Sequence, residues 1–317
     1  MELQLKNIGM IKEASVKIDG LTVIAGENDT GKSTVGKALY LHLKVASSKE
    51  EDYKTHHILE SNLFKNQLVS DIGYIKLIID KDTIFKSEFG SFTEVDFVDS
   101  DNFLYNPIMI ETPLVWNFTD FFRDIAQVES QMRIELDYPY LMKDLNFKLH
   151  IKNASDGLDI KKKMTDLMGG EFKKDEMGHY YFDKQGQKID LLNTATGIKT
   201  FGLFQVLSQN NYLNKDAVLI LDEPEVHLHP KWQLEMAKVI VNLVKGGVKI
   251  VVNSHSPYMI EALKRYSEVE DIEDKTNFYL AENGYIEHQE SLENIFEKLA
   301  LPMRELKKLK MDKYIND

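Results

Sequence analysis

The segment from Leu21 to Lys44 leaves the chain little choice of architecture. A continuous apolar run, Leu21-Thr22-Val23-Ile24-Ala25, leads into Gly26-Glu27-Asn28-Asp29-Thr30-Gly31-Lys32-Ser33, which fits G-x-x-x-x-G-K-[ST]. A helical pattern then runs from about Lys32 to Lys44. An apolar run without polar alternation predicts a strand buried on both faces, which belongs in a parallel sheet covered by helices. The glycines let backbone N–H groups curl around phosphate oxygens, and the helix N-terminus adds partial positive charge. The segment therefore predicts a nucleoside-triphosphate site on an α/β scaffold. Gly26, Asn28, Asp29, Thr30, Gly31 and Thr34 belong to the cradle, Lys32 bridges the outer phosphates, and the Ser33 hydroxyl ligates Mg2+.

A phosphate loop does not by itself separate kinases, GTPases and motor ATPases. The run Val218-Leu219-Ile220-Leu221-Asp222-Glu223-Pro224 narrows the choice. Four apolar residues bury a strand, and two carboxylates emerge at its C-terminal end, where open α/β sheets bind ligands. Asp222 is placed to hold Mg2+ with Ser33. Glu223, expected on the opposite face because strand side chains alternate, is placed to orient an attacking water. Lys249-Ile250-Val251-Val252-Asn253-Ser254-His255-Ser256-Pro257 repeats the pattern, with Ser256 as an N-cap and Pro257 at the first helical position. His255 then stands at a strand end beside Glu223, where an imidazole reaches both the γ-phosphate and the water.

Two further segments admit two readings each. In Glu223-Pro-Glu-Val-His-Leu-His-Pro230, His227 and His229 form an H-x-H pair; a turn into the Pro230 helix is the plainer reading, and zinc lacks an evident third ligand. In Asn193-Thr194-Ala195-Thr196-Gly197-Ile198-Lys199, Thr196 is either a simple N-cap or part of a second helix N-terminus aimed at phosphate.

The remaining pattern is consistent with an α/β chain. Strands are expected at 2–8 and 12–18, turning at Gly9, and at 106–111, with a hairpin of 73–80 and 83–89 around Lys81-Asp82. Residues 48–70 read as polar and helical, 113–168 as helical without sustained heptads, and 171–183 as a hairpin. The last third alternates: helix 197–210, strand 217–221, helix 230–244, strand 248–253, helix 257–266, hairpin 277–288 and helix 291–300. The 317 residues carry no cysteine, which excludes disulfides, thiolate metal sites and cysteine nucleophiles. No apolar run approaches the ~20 residues of a membrane span, and the first residues lack a signal-peptide core, so a soluble cytoplasmic protein with no membrane partner is expected. A net charge of −12 gives no global attraction to nucleic acid.

Taken together, these segments resemble the ATP-binding-cassette superfamily, in particular the SMC/RecF/OLD-like branch of AAA ATPase heads. LQLKNIG…IKEASVKIDGLTVIAGENDTGKST is similar to that branch's N-terminal sheet and Walker A, LILDEPEVHLHP to its Walker B and catalytic Glu, and VVNSHSP to its histidine switch. The resemblance implies a P-loop NTPase fold of the ABC type: a mostly parallel central sheet, N-terminal antiparallel strands and a helical insert. It implies one head over 1–317, with a nucleotide-binding part (1–111), an insert (112–170) and a signature, Walker B and switch part (171–317). It also implies an ATP-sandwich dimer closed by ATP and reopened by Glu223-assisted hydrolysis, with Lys32, Glu223 and His255 catalytic. Thr196, Gly197 and Lys199 then fall in the signature segment that faces the partner's nucleotide. The segment departs from L-S-G-G-E/Q, because Ala195 stands where a hydroxyl is expected, between Thr194 and Thr196. No Glu with an Asp-x-Asp arrangement for a Toprim-type nuclease follows His255; Asp99-Ser100-Asp101 reads as a loop.

The function expected from this resemblance is an ATPase whose dimer closure controls a separate effector protein, in bacterial anti-phage defence. A RecF/SMC-like clamp on DNA is the first alternative. Its basic surface would come from Lys161-Lys162-Lys163 and from Lys307, Lys308, Lys310 and Lys313, although short lysine runs are usually solvated helix faces. A slow-turnover ATP sensor is the second. A small-molecule kinase has no need for the Glu223/His255 pair.

Overall fold

The computed structural model describes residues 1–47, 73–80, 84–89, 94–97, 105–132, 139–302, 304 and 306. The expected helix at 48–70, the Lys81-Asp82 turn, the Asp99-Ser100-Asp101 loop and the lysines from 307 onward lie outside these residues.

Fourteen strands are described, and eleven of them form one sheet. They are β1 (Glu2–Ile8), β2 (Ile11–Lys17), β3 (Leu21–Ala25), β4 (Gly73–Ile78), β5 (Ile84–Phe89), β6 (Glu94–Phe97), β7 (Asn106–Ile110), β8 (Glu171–Lys174), β9 (Tyr180–Lys184), β10 (Gln187–Asp190), β11 (Ala217–Asp222), β12 (Lys249–Ser254), β13 (Thr276–Glu282) and β14 (Tyr285–Gln289). The large sheet has the order β6-β5-β4-β1-β2-β14-β13-β3-β12-β11-β7. From β13 to β7 every neighbouring pair is parallel. From β6 to β2 every pair is antiparallel, and β14 joins the two regions, antiparallel to β13 and parallel to β2.

Sequence pattern accounts for the difference. All five β3 residues are buried, whereas β1 and β2 alternate, as sheets covered on two faces and on one face require. Successive residues of the parallel strands feed two separate cores. Ile24, Val218, Ile220 and Val251 pack with the helix α1 (Lys32–Ser47). Val23, Leu219, Leu221 and Val252 pack with α5 (Thr196–Gln209), α6 (Pro230–Lys245) and α7 (Pro257–Val269). A short α8 (Glu293–Leu299) follows the β13–β14 hairpin.

The expected helical stretch after Pro113 resolves into a 3₁₀ turn (Pro113–Phe118) and three helices, α2 (Thr119–Met132), α3 (Tyr140–His150) and α4 (Lys161–Met168). Trp116 fastens it to the body: its indole N–H donates to the Lys199 carbonyl at 2.9 Å, and its ring stacks on Phe172 at 4.8 Å. At the other end Lys44 of α1 pairs with Asp144 of α3 at 2.8 Å, and Lys148 also binds Asp144. The expected 171–183 hairpin gains a third strand, β10, after a turn at Gln185-Gly186. Among the described residues no helix is long and apolar enough to cross a membrane.

Candidate functional site

The C-terminal ends of β3, β12 and β11 lie side by side, with Ala25 opposite Ser254 and Asp222 opposite Asn253. The phosphate loop, His255 and Glu223 each leave one of these three ends. This parallel register brings the three separate sequence segments together.

The loop is held in one shape. A Cβ on Gly26 would stand 2.5 Å from the Ala281 carbonyl oxygen, so only glycine passes β13 at that point. Asp29 (φ 63°) and Gly31 (φ 90°) both take positive φ, which turns backbone N–H groups inward as a nest. Thr30 Oγ1 donates to the Glu27 carbonyl at 2.9 Å. Lys32, the first residue of α1, is 4% exposed, and its Nζ donates to the carbonyls of Gly26 (3.0 Å) and Glu27 (2.5 Å). Burial pulls its pKa below the usual lysine value, against the opposing pull of Glu223, Asp222, Glu225 and Glu27. Asn28 to Thr34 line a cleft of about 590 Å³ with the Gly9-Met10 turn, Asp222 and Glu223. Thr196, Gly197 and Lys199 are not among its lining residues.

One expectation fails here in an informative way. Glu223 was expected on the opposite face from Asp222 by strand alternation. Instead β11 ends at Asp222, and Glu223 adopts a left-handed backbone (φ 49°), its N–H donating to the Asn253 carbonyl at 2.9 Å. That turn brings both carboxylates into one cleft. Asp222 Oδ1 accepts from Asn253 Nδ2 at 2.9 Å. His255 Nδ1 lies 3.1 Å from Glu223 Oε1, so the pair proposed from sequence is in hydrogen-bond contact.

The site includes one residue that sequence reading passed over. Glu225, 3% exposed, accepts at Oε1 from Ser254 Oγ (2.6 Å), His255 N (3.1 Å) and Ser256 N (3.2 Å). Its only sequence signal was a third acidic residue just after Asp222-Glu223, and nothing local announced its burial.

The outlying segments divide. Ser256 caps α7 through Met259 N with Pro257 next, as expected. His229 caps α6, its Nδ1 accepting from Lys231 N at 3.3 Å, which favours the turn reading. The N-cap of α5 is Ala195, with no side-chain bond, so Thr196 is not the cap that one reading made it. The Thr194 hydroxyl donates to the Asp190 carbonyl at 2.9 Å. Lys199 is 5% exposed, and its Nζ donates to Asn117 Oδ1 of the insert at 2.8 Å. Gly197 abuts the start of α6 and the turn before it, where a Cβ would stand 3.5 Å from Trp232 Cε3 and 3.3 Å from Leu228 Cδ2. Lys161 is paired with Glu171 at 2.9 Å, which removes one charge from the proposed basic run.

The sheet order, the loop after β3, the carboxylates after β11 and the histidine after β12 together give the chain the fold of P-loop ATPase heads, with the site those heads would need at its strand ends. Residues 117–260 match the family described as AAA ATPase domain, a stretch that takes in Thr196, Asp222, Glu223 and His255. Over 89 residues the chain is 28% identical to the retron Vc95 probable ATPase of Vibrio cholerae serotype O1 biovar El Tor, covering 24% of this chain and 17% of that protein. Over 47 residues it is 34% identical to the Septu protein PtuA of Bacillus thuringiensis, covering 15% and 12% respectively. The matches thus span less than a fifth of either relative's length. Among solved structures, an SmcHead bound to the C-winged helix domain of ScpA superposes with a TM-score of 0.53 at 15% identity, covering 93% of this chain and 98% of that one. That likeness concerns the fold.

The donor set suits a nucleotide with a divalent cation. A hydroxyl (Ser33) and a carboxylate (Asp222) on one cleft are oxygen ligands of the kind Mg2+ takes while keeping waters and phosphate oxygens.

Proposed function

We propose that the chain binds and hydrolyses ATP in a site completed by a second copy of itself, and that closure of the resulting dimer controls a separate effector protein. The observation that carries this reading is the shared cleft: the phosphate loop, Asp222 and Glu223 line it, and His255 touches Glu223. On binding, Lys32 exchanges the Gly26 and Glu27 carbonyls for the outer phosphate oxygens. Mg2+, held through Ser33 and Asp222, would neutralise charge developing between those phosphates. Glu223 orients the attacking water, and His255 keeps its carboxylate in place. The uncapped N-terminus of α5 at Thr196-Gly197 is outside this cleft and has N–H groups to offer a partner's γ-phosphate. The reading treats residues 1–317 as one cytoplasmic head. Its setting in anti-phage defence rests on the branch the chain resembles and on the partial likeness to a retron ATPase and a Septu protein.

Glu223→Gln tests it. Phosphate release is expected to fall about a hundredfold or more while ATP affinity holds, and an ATP-bound dimer is expected to accumulate in light scattering after size exclusion. Parent-like hydrolysis by this variant would remove Glu223 from the role. A parent that binds ATP without releasing phosphate would leave a sensor.

A further inference from the structure

Glu225 occupies a position that packing alone does not explain. A buried carboxylate is costly unless its lone pairs are satisfied and its charge is matched. Here the three donors all converge on Oε1, while Oε2 is buried with no hydrogen-bond partner among the described residues. Among the described residues, the basic group within ion-pair distance is the His255 ring, its Nδ1 at 3.9 Å from Oε1. An apolar side chain would fill this space at lower electrostatic cost, but it would accept none of the three donors.

What the arrangement achieves is local. The three donors belong to consecutive residues, Ser254, His255 and Ser256, at the junction of β12 and α7. The His255 backbone N–H is fixed by Glu225, and its ring is directed to Glu223. Glu223 and Glu225 leave the same strand end two residues apart, so the segment carrying the histidine is held by the segment carrying the carboxylate it serves. Ser256 is held from a second side, its Oγ donating to Gln233 Oε1 at 2.6 Å, and Gln233 Nε2 donates to the Leu228 carbonyl at 3.1 Å.

We infer that Glu225 is a positioning residue: by accepting from Ser254, His255 and Ser256 it fixes the His255 backbone so that the imidazole stays within hydrogen-bond reach of Glu223. The inference rests on the proposed ATP hydrolysis and adds to it a residue outside the lining of the nucleotide cleft. A charge-assisted three-donor clamp is stiffer than neutral hydrogen bonds, so its loss is felt in the geometry of the reacting groups.

The experiment has a kinetic arm and an arm that needs no turnover. In the kinetic arm, Glu225→Ala is expected to lower kcat about tenfold or more with the KM for ATP unchanged within about twofold, because binding is left to the phosphate loop. Glu225→Gln, whose amide oxygen accepts the same three donors, is expected to keep kcat within about threefold of the parent. The double variant Glu225→Ala/His255→Ala should be no slower than His255→Ala alone, since residues acting through one another are not additive. Multiplicative losses, or a KM that rises as kcat falls, would overturn the inference. In the second arm, hydrogen exchange of the nucleotide-free protein is followed by mass spectrometry. Glu225→Ala should speed exchange of the His255 and Ser256 amides and leave β3 unchanged; unchanged exchange at 255–256 would also overturn it. Should Glu225→Ala fail to fold, Glu225→Asp, with its carboxylate withdrawn by one methylene, takes its place in both arms. A parent without phosphate release would defeat the hydrolysis reading alone, because the exchange arm still decides whether Glu225 holds the segment.

Discussion

Two groups of charged side chains sit at opposite ends of helix α1 and are built on opposite principles. At the far end of α1, Asp144 is a hub between Lys44 and Lys148, and both contacts are direct ion pairs. At the near end, among the described residues, Lys32 bonds to its own loop's carbonyls, Glu223 sits on a left-handed backbone, and Glu225 keeps an oxygen with no hydrogen-bond partner. The first group is matched, and its geometry stabilises the attachment of the insert. The second stores mismatch, which is where binding and chemistry find donors and acceptors still to be used. Substitution should therefore separate them: function lost at one, stability at the other.

The largest effect is expected at Lys32. Lys32→Ala should weaken ATP binding by about a hundredfold or more in calorimetry, without lowering the thermal midpoint, since a buried ammonium leaves with it. Unchanged affinity would break the contrast at its functional end. Next comes Asp144→Asn, which strands two ammonium groups, one of them buried; removing one partner of a buried pair costs about 3–5 kcal/mol, to be read from urea unfolding, with ATP affinity near the parent's. The pH dependence sharpens this. Burial pushes the Asp144 carboxyl pKa up, but Lys148 and Lys44 outweigh it and hold the group below its ordinary value of 3.8. Its stabilisation is thus full above that ordinary value and lost as pH falls through the lower folded one. The gap in unfolding free energy between parent and Asp144→Asn should close in acid; a gap that widens there would contradict the ion-pair account. The smallest effect belongs to Ala195→Ser. Supplying the missing cap of α5 should stabilise the fold by about 0.5–1 kcal/mol. No gain would mean that these N–H groups already have partners.

The same contrast decides what could be read from the chain. β3, β11 and β12 were legible because each is a short apolar string ending in its own chemistry, and parallel pairing brings such ends together without further instruction. The helical insert was legible as helical but not as an anchored body, because Trp116 reaching the Lys199 carbonyl is a contact across 83 residues. Period-two reasoning misplaced Glu223, since alternation holds only while the strand continues and the left-handed residue stops it. Lys199 entered only through the resemblance of its segment to a signature motif, and no local pattern announces Asn117, 82 residues away, as its acceptor. Glu225 escaped for the same reason: local pattern carries a residue's chemistry but not its depth. β10 was missed as four largely polar residues on a second, small sheet.

The resting bonds of Lys32 also set a threshold for what can occupy the loop. Its ammonium already has two carbonyl acceptors, so an incoming anion must offer more than a dipole and a diffuse charge to displace them. Chloride or a lone carboxylate gains little by that exchange, whereas a polyphosphate brings several dense oxygens at once. If the proposed nucleotide site holds, the nest would thereby favour highly charged guests before any base or sugar is recognised.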